Sequence, residues 1–367
     1  MTISEHLSEI KRQLRTGDYT AIEAIISHAS QDETDPSILA PLITARSVAR
    51  QRQGDFIGAR EDIDTVLKLR KKDDGSISLN TALVYVNAVE LELDWAQESQ
   101  ATIDEHINEA QTFLEELQSL LKPSESIYGK YFEIGRSPLG IHPGFLKVEN
   151  ERLQGKLHAL QGHYDAALAK YDLAESMLED RPYPDVKINE RLLGKISYSK
   201  ARTLLTRGEQ TDNKQDFLQA YALLHKSITH FSESGCEDDV AKGIMLMGEV
   251  KDASGDYEAA IAELKKIDVD YSPRLQAYTE LNLASALFTV AGTTPNNLPT
   301  ETSPPVLNDA GEALYSFSVA ASALLGHDTK RIRPLVWNVQ DAYLSNSKRM
   351  RVLALDDEGS VLTELFK

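Results

Sequence analysis

Four glycines set the frame of this chain. Gly17-Asp18-Tyr19, Gly54-Asp55-Phe56, Gly162-His163-Tyr164 and Gly255-Asp256-Tyr257 repeat one tripeptide pattern. Five residues after each glycine stand Ile22, Ala59, Ala167 and Ala260; nine after it stand Ile26, Ile63, Tyr171 and Leu264. Twelve after it come Ala29, Val66, Ala174 and Ile267. Proline then punctuates the units at Pro36, Pro182 and Pro273, with Gly75 at the matching point of the remaining one. A glycine in the left-handed conformation ends a helix and closes its last carbonyls. The Asp caps the next helix, the aromatic fills the hinge, and alanine lets antiparallel helices approach closely. Proline stops the second helix and suits the first turn of the one that follows. Each unit therefore predicts a helical hairpin of about 34–37 residues, which buries its apolar face by stacking on its neighbours.

At these residues the chain resembles the tetratricopeptide repeat family. The segment GKLHALQGHYDAALAKYDLAESMLEDRP matches the family pattern at Gly155, Gly162, Tyr164, Ala167, Tyr171, Ala174 and, after a short slip, Pro182. GEVKDASGDYEAAIAELKKI matches at Gly248, Gly255, Tyr257, Ala260 and Leu264. Glu151 and Ile244 stand where the family has a tryptophan-like residue, and the Gly54 unit carries Ser47 where glycine is preferred. The resemblance implies an all-α solenoid of antiparallel hairpins wound as a right-handed superhelix. It is clearest over 40–70, 148–180 and 241–268, within an expected array covering 1–291.

Between these anchors the helical period continues. Leu83, Val86, Val89, Leu91 and Leu93 mark one long helix; Ile103, Ile107, Ala110, Leu114, Leu117 and Leu121 mark its partner. Residues 185–207 and 216–233 predict another pair, with Arg207-Gly208 as the stop and 209–215 as a loop. Residues 274–291 read as a further first helix. The glycine- and aromatic-rich stretch 127–144 reads as a partly packed elbow. Residues 292–309, with Pro295, Pro299, Pro304 and Pro305, read as a flexible insert, and 310–367 as a helical cap.

Charge narrows the function. Against 57 acidic residues stand 39 Lys and Arg, a net −18 over 367 residues. That argues against a general nucleic-acid binder, which needs a basic field, and against docking on anionic lipid. The start of the chain has Ile3, Leu7, Ile10 and Leu14 at helical spacing rather than a signal-peptide core, and no stretch has transmembrane length, so a cytoplasmic protein is expected. Cys236 is the single cysteine, which excludes an internal disulfide framework. It sits before Glu237, Asp238 and Asp239, a setting that disfavours a thiolate nucleophile. His158 and His163 are five apart, as are His225 and His230, and zinc helices space their histidines by three or four. No phosphate-binding glycine loop appears. Neither a catalytic constellation nor a metal or cofactor set is expected.

The charge is also uneven. Residues 90–125 hold ten acidic residues and one basic residue, Lys122, so 1 − 10 = −9. Asp104, Glu105, Glu109, Glu115 and Glu116 fall opposite an apolar stripe, as on a solvated outer face. Lys330, Arg331, Arg333, Lys348, Arg349 and Arg351 give 330–351 the opposite sign, and contact between these two segments would let copies self-associate.

The resemblance further implies that successive first helices line a concave groove for a peptide. Spacing from the hinge glycines puts Arg152, Lys156, Lys195, Tyr198, Arg202, Lys242 and Asn282 on it, beside Met245, Glu249 and Thr279. Such a lining suits an acidic peptide or a terminal carboxylate, because charge-assisted hydrogen bonds are strong. The expected function is a noncatalytic scaffold or adaptor that binds a protein or peptide segment in this groove. The alternative is a peptide-sensing regulator whose array changes conformation on binding.

Overall fold

The computed structural model describes residues 19–29, 35–71, 79–98, 102–121, 143–180 and 185–267. It also describes His6, Glu9, Ile10, Arg12, Gln13, Thr279, Asn282 and Ala286, all helical. Eleven helices form among these residues: α1 Tyr19–Ala29, α2 Pro36–Gln53, α3 Phe56–Lys71, α4 Leu79–Glu98, α5 Ile103–Leu121, α6 Pro143–Leu160, α7 Tyr164–Asp180, α8 Val186–Thr211, α9 Lys214–Ser234, α10 Glu237–Ala253 and α11 Tyr257–Leu264. Each packs on its neighbour in sequence, and the even-numbered helices also pack in succession, α2 on α4, α4 on α6, α6 on α8 and α8 on α10. This is an α-solenoid of hairpins. Among the described residues no helix is long and apolar enough to cross a membrane.

The hinges follow the repeat. Gly54, Gly162 and Gly255 have φ of 86°, 77° and 83°, the left-handed region. The residue after each donates back to a helix carbonyl: Asp55 N to Arg50 O at 2.8 Å, His163 N to His158 O at 2.8 Å and Asp256 N to Lys251 O at 2.9 Å. Asp55 then accepts from Gly58 N at 2.9 Å and Asp256 from Ala259 N at 3.4 Å. Gly17, Asp18, Gly75, Pro182 and Pro273 lie outside the described residues, as do 292–309, 310–367 and most of 127–144, whose last residues, Pro143 and Gly144, open α6.

Two hinges differ from the sequence expectation. Helix α8 does not stop at Arg207-Gly208; it runs to Thr211, and Asp212 takes the left-handed turn at φ 52°. Gly208 is glycine because a Cβ there would lie 2.8 Å from the Phe217 ring of α9, so it serves close approach instead of termination. Gly235, at φ 72°, makes a further hinge between α9 and α10, with Cys236 N donating to Phe231 O at 3.1 Å. Cys236-Glu237 lacks the Asp-aromatic signature, and Cys236 gives no side-chain cap.

The repeat positions build the core. Ala59, Ala167, Ala260, Ile22, Ile26, Ile63, Tyr171 and Leu264 are buried. Gly155 lets the Tyr171 ring pass so closely that a Cβ would come within 2.5 Å of it, and Gly248 does the same for Leu264 at 2.6 Å. Burial pushes the Tyr171 phenol up to about 12. Successive apolar clusters are joined at shared side chains, Phe145 between α2–α6 and α6–α8, and Leu168 between α6–α8 and α8–α10.

Candidate functional site: the inner face of the array

The even-numbered helices pack on one another in succession, and ion pairs and hydrogen bonds join their facing sides. Arg152 and Glu149, one turn apart on α6, are 3% and 2% exposed and meet at 2.5 Å. Arg152 also reaches Glu90 of α4 at 2.9 Å. Lys195 of α8 completes a four-membered ring, 3.1 Å from Glu90 and 3.0 Å from Glu149. Beside it Lys156 pairs with Asp94, which also accepts from Gln51 at 2.6 Å. On α8 and α10, Arg202 donates to Glu249 at 2.6 Å and to the Tyr198 hydroxyl at 3.3 Å, and Asn282 donates to Glu249 at 3.2 Å. Lys242 stands 2.7 Å from Asp238.

The groove candidates thus divide into three groups. Arg152 and Lys195 share two carboxylates; Arg202 and Asn282 donate to Glu249, with the Tyr198 hydroxyl accepting from Arg202; Lys156 and Lys242 each have a separate partner. A purely basic lining is not what forms. Every charged candidate meets a carboxylate, and two residues of the acidic run 90–125, Glu90 and Asp94 on α4, face the cations of α6 and α8. Five others behave as the periodicity predicts. On α5, Asp104, Glu105, Glu109, Glu115 and Glu116 are exposed, while Ala110, Phe113, Leu114, Leu117 and Leu120 are buried. The basic segment 330–351 lies outside the described residues.

One set of contacts crosses the array. Asp238 and Asp239, in the first turn of α10, receive Arg52 from the end of α2 at 3.3 and 3.0 Å. The Tyr19 hydroxyl of α1 donates to Asp238 at 2.8 Å, and Arg191 of α8 pairs with Asp239 at 2.9 Å. Burial alone would raise the Asp239 carboxyl, but Arg191, Arg52 and Lys242 outweigh it and hold it far below the ordinary range. Burial likewise opposes ionisation of Glu90, and Arg152, Lys195 and Lys156 drive its pKa well down. Glu149 is lowered against burial by Arg152 and Lys195.

Arg52, Arg191, Glu90, Glu149, Asp238 and Asp239 were not legible as site residues. The spacing rule reads one helix at a time from its hinge glycine, and α4 has no such glycine. Asp238 and Asp239 enter the sequence reading only as the acidic surround of Cys236; in the fold they open α10 and serve as counter-ions for two other helices.

No protein-family model matches the chain, and neither does any curated protein. Among solved structures it is similar to the crystal structure of BtubC (BKLC) from P. vanneervenii, with 14% identity and a TM-score of 0.36, over 84% of this chain and 99% of that one.

Proposed function

We propose that this chain is a noncatalytic scaffold of the cytoplasm that binds a protein or peptide segment along its inner face. The finer reading of its solenoid is a tetratricopeptide array, supported by the hinge geometry at Gly54, Gly162 and Gly255 and by the Gly155–Tyr171 contact. One observation supports the binding role: polar side chains from α2, α4, α6, α8 and α10 pair with one another from helix to helix. The ligand it suits is acidic. Where α2, α8 and α10 meet, the side chains of Arg52, Arg191 and Lys242 keep 20%, 37% and 25% of their surface, while Asp238 and Asp239 keep 5% and 7%. The carboxylates form the floor and the cations the rim, so an incoming acidic group meets positive charge.

Titration calorimetry with acidic, neutral and basic peptides of equal length tests this. Acidic peptides should bind, and Arg202→Glu or Lys242→Glu should weaken them, whereas Glu116→Gln on α5 should not. Equal binding of all three peptides, or none, overturns the proposal.

The second reading, a sensor that changes shape, is favoured by the contacts of Arg52 and Tyr19 with α10. They are polar, and among the described residues the apolar cluster of α1 and α2 shares no member with that of α8–α10. A ligand that takes Arg52 from its aspartates would free the two ends. Small-angle scattering with and without a bound acidic peptide distinguishes the sensor, whose radius of gyration changes, from the static scaffold.

A further inference from the structure

A different set of side chains meets where the start of α8 lies against the end of α9. His230 Nδ1 stands 2.6 Å from Glu190 Oε2. Glu190, His230 and Glu233 each bring a ligand atom within 4.8 Å of the other two. We propose that these three side chains form a zinc-type divalent cation site, with a fourth position open to water or an external ligand.

The donor set points to that class of ion. An imidazole nitrogen with two carboxylate oxygens suits zinc and its borderline neighbours, whereas magnesium and calcium favour oxygen alone. Three protein ligands with one open position is a known zinc arrangement. Tetrahedral zinc with bonds of about 2.0–2.1 Å places its ligands about 3.4 Å apart. Small side-chain rotations from the observed spacing reach it.

The electrostatics ask for a cation. Among the described residues no lysine or arginine pairs with Glu190 or Glu233, although ion pairs are abundant elsewhere in the array. Glu233 lies in the last turn of the 21-residue α9, and that turn carries no basic residue. The carbonyl end of a helix is its negative end and disfavours a carboxylate there. His230 and Glu233 are one turn apart on one helix face, and Glu190 answers from the antiparallel partner.

The scaffold also holds the ligands in register. Gly194, one turn after Glu190, admits the Phe231 ring so closely that a Cβ would come within 2.6 Å of it. Ser227 Oγ donates to Gly194 O at 2.9 Å. The two helices are therefore locked together within a turn of all three ligands, which limits the reorganisation that binding requires.

The full chain, without a histidine tag, should bind one Zn²⁺ in titration calorimetry, and Co²⁺ at the same site should give the visible absorption of a low-coordinate centre. His230→Ala and Glu233→Gln should each weaken zinc more than about tenfold, while His225→Ala, on the same helix, leaves it unchanged. Zinc should raise the melting temperature of the wild type and not that of His230→Ala, and circular dichroism verifies that each variant is folded. The assignment is overturned if either His230→Ala or Glu233→Gln keeps the wild-type affinity, or if zinc does not saturate below about 1 mM.

Discussion

Adding one methyl group at Gly155 and one at Gly162 probes two different uses of glycine. At Gly155 the new Cβ would sit 2.5 Å from Tyr171, and the core must move. Gly155→Ala should cost about 1–3 kcal/mol by urea denaturation, recovered in part by trimming the partner with Tyr171→Leu. At Gly162 there is open space but a φ of 77°. Gly162→Ala should cost about 1–2 kcal/mol, and Gly162→Asn, which tolerates the left-handed region, less. The sequence shows both glycines but not the Tyr171 ring; only the offset between Gly155 and Tyr171 hints at their meeting. Arg152 is a third case. Arg152→Met would leave the buried Glu149 carboxylate to Lys195 alone among the described residues and should cost about 3 kcal/mol, whereas Arg152→Met with Glu149→Leu should recover most of it. Nothing in the local sequence marks Arg152 as buried, because its second counter-ion, Glu90, is 62 residues away.

Helices were legible where one stripe is apolar and the rest is not. α5 is such a helix, and its exposed and buried sets separate as the period predicts. α4 is not, since Val86, Val89, Leu91 and Leu93 are all buried and leave no clear polar face on which to place Glu90 and Asp94. For α8 the composition misleads. A helix-interior glycine normally gains about 1 kcal/mol when changed to alanine, and a terminating glycine ought to be indifferent to a distant ring. Because Phe217 occupies the space, Gly208→Ala should instead lower the melting temperature, and Gly208→Ala with Phe217→Leu should restore it. A higher melting temperature for Gly208→Ala alone would return Gly208 to the role of a stop.

For the molecule as a whole, the inner carboxylates set the response to acid. Glu90, Glu149, Asp238 and Asp239 all have folded-state pKa values below their ordinary ones. A depressed carboxylate contributes stability that is complete at neutral pH and is lost as pH falls through the ordinary carboxylate range, about 4, toward the lower folded value. Chemical denaturation should therefore show little change in stability from these groups between pH 7 and 5 and a steep fall below about 4. Asp239→Asn should flatten that fall. Hairpin stacking was legible because it is written in periodic, local signals; the interior was not, because its pairs join helices far apart in the chain.

The Arg52–Asp238 contact spans 186 residues of sequence. In an open stack a perturbation weakens with each hairpin, since each unit knows only its neighbours. A clasp between α2 and α10 turns that line into a loop, so the two ends report on each other. Arg52→Ala should then speed amide hydrogen exchange at the start of α10 as well as at the end of α2, while α6, in the middle, keeps its protection. Unchanged exchange at α10 would mean that the array behaves as a line after all. If the loop holds, a ligand seated between two hairpins can be felt at both ends of the chain at once.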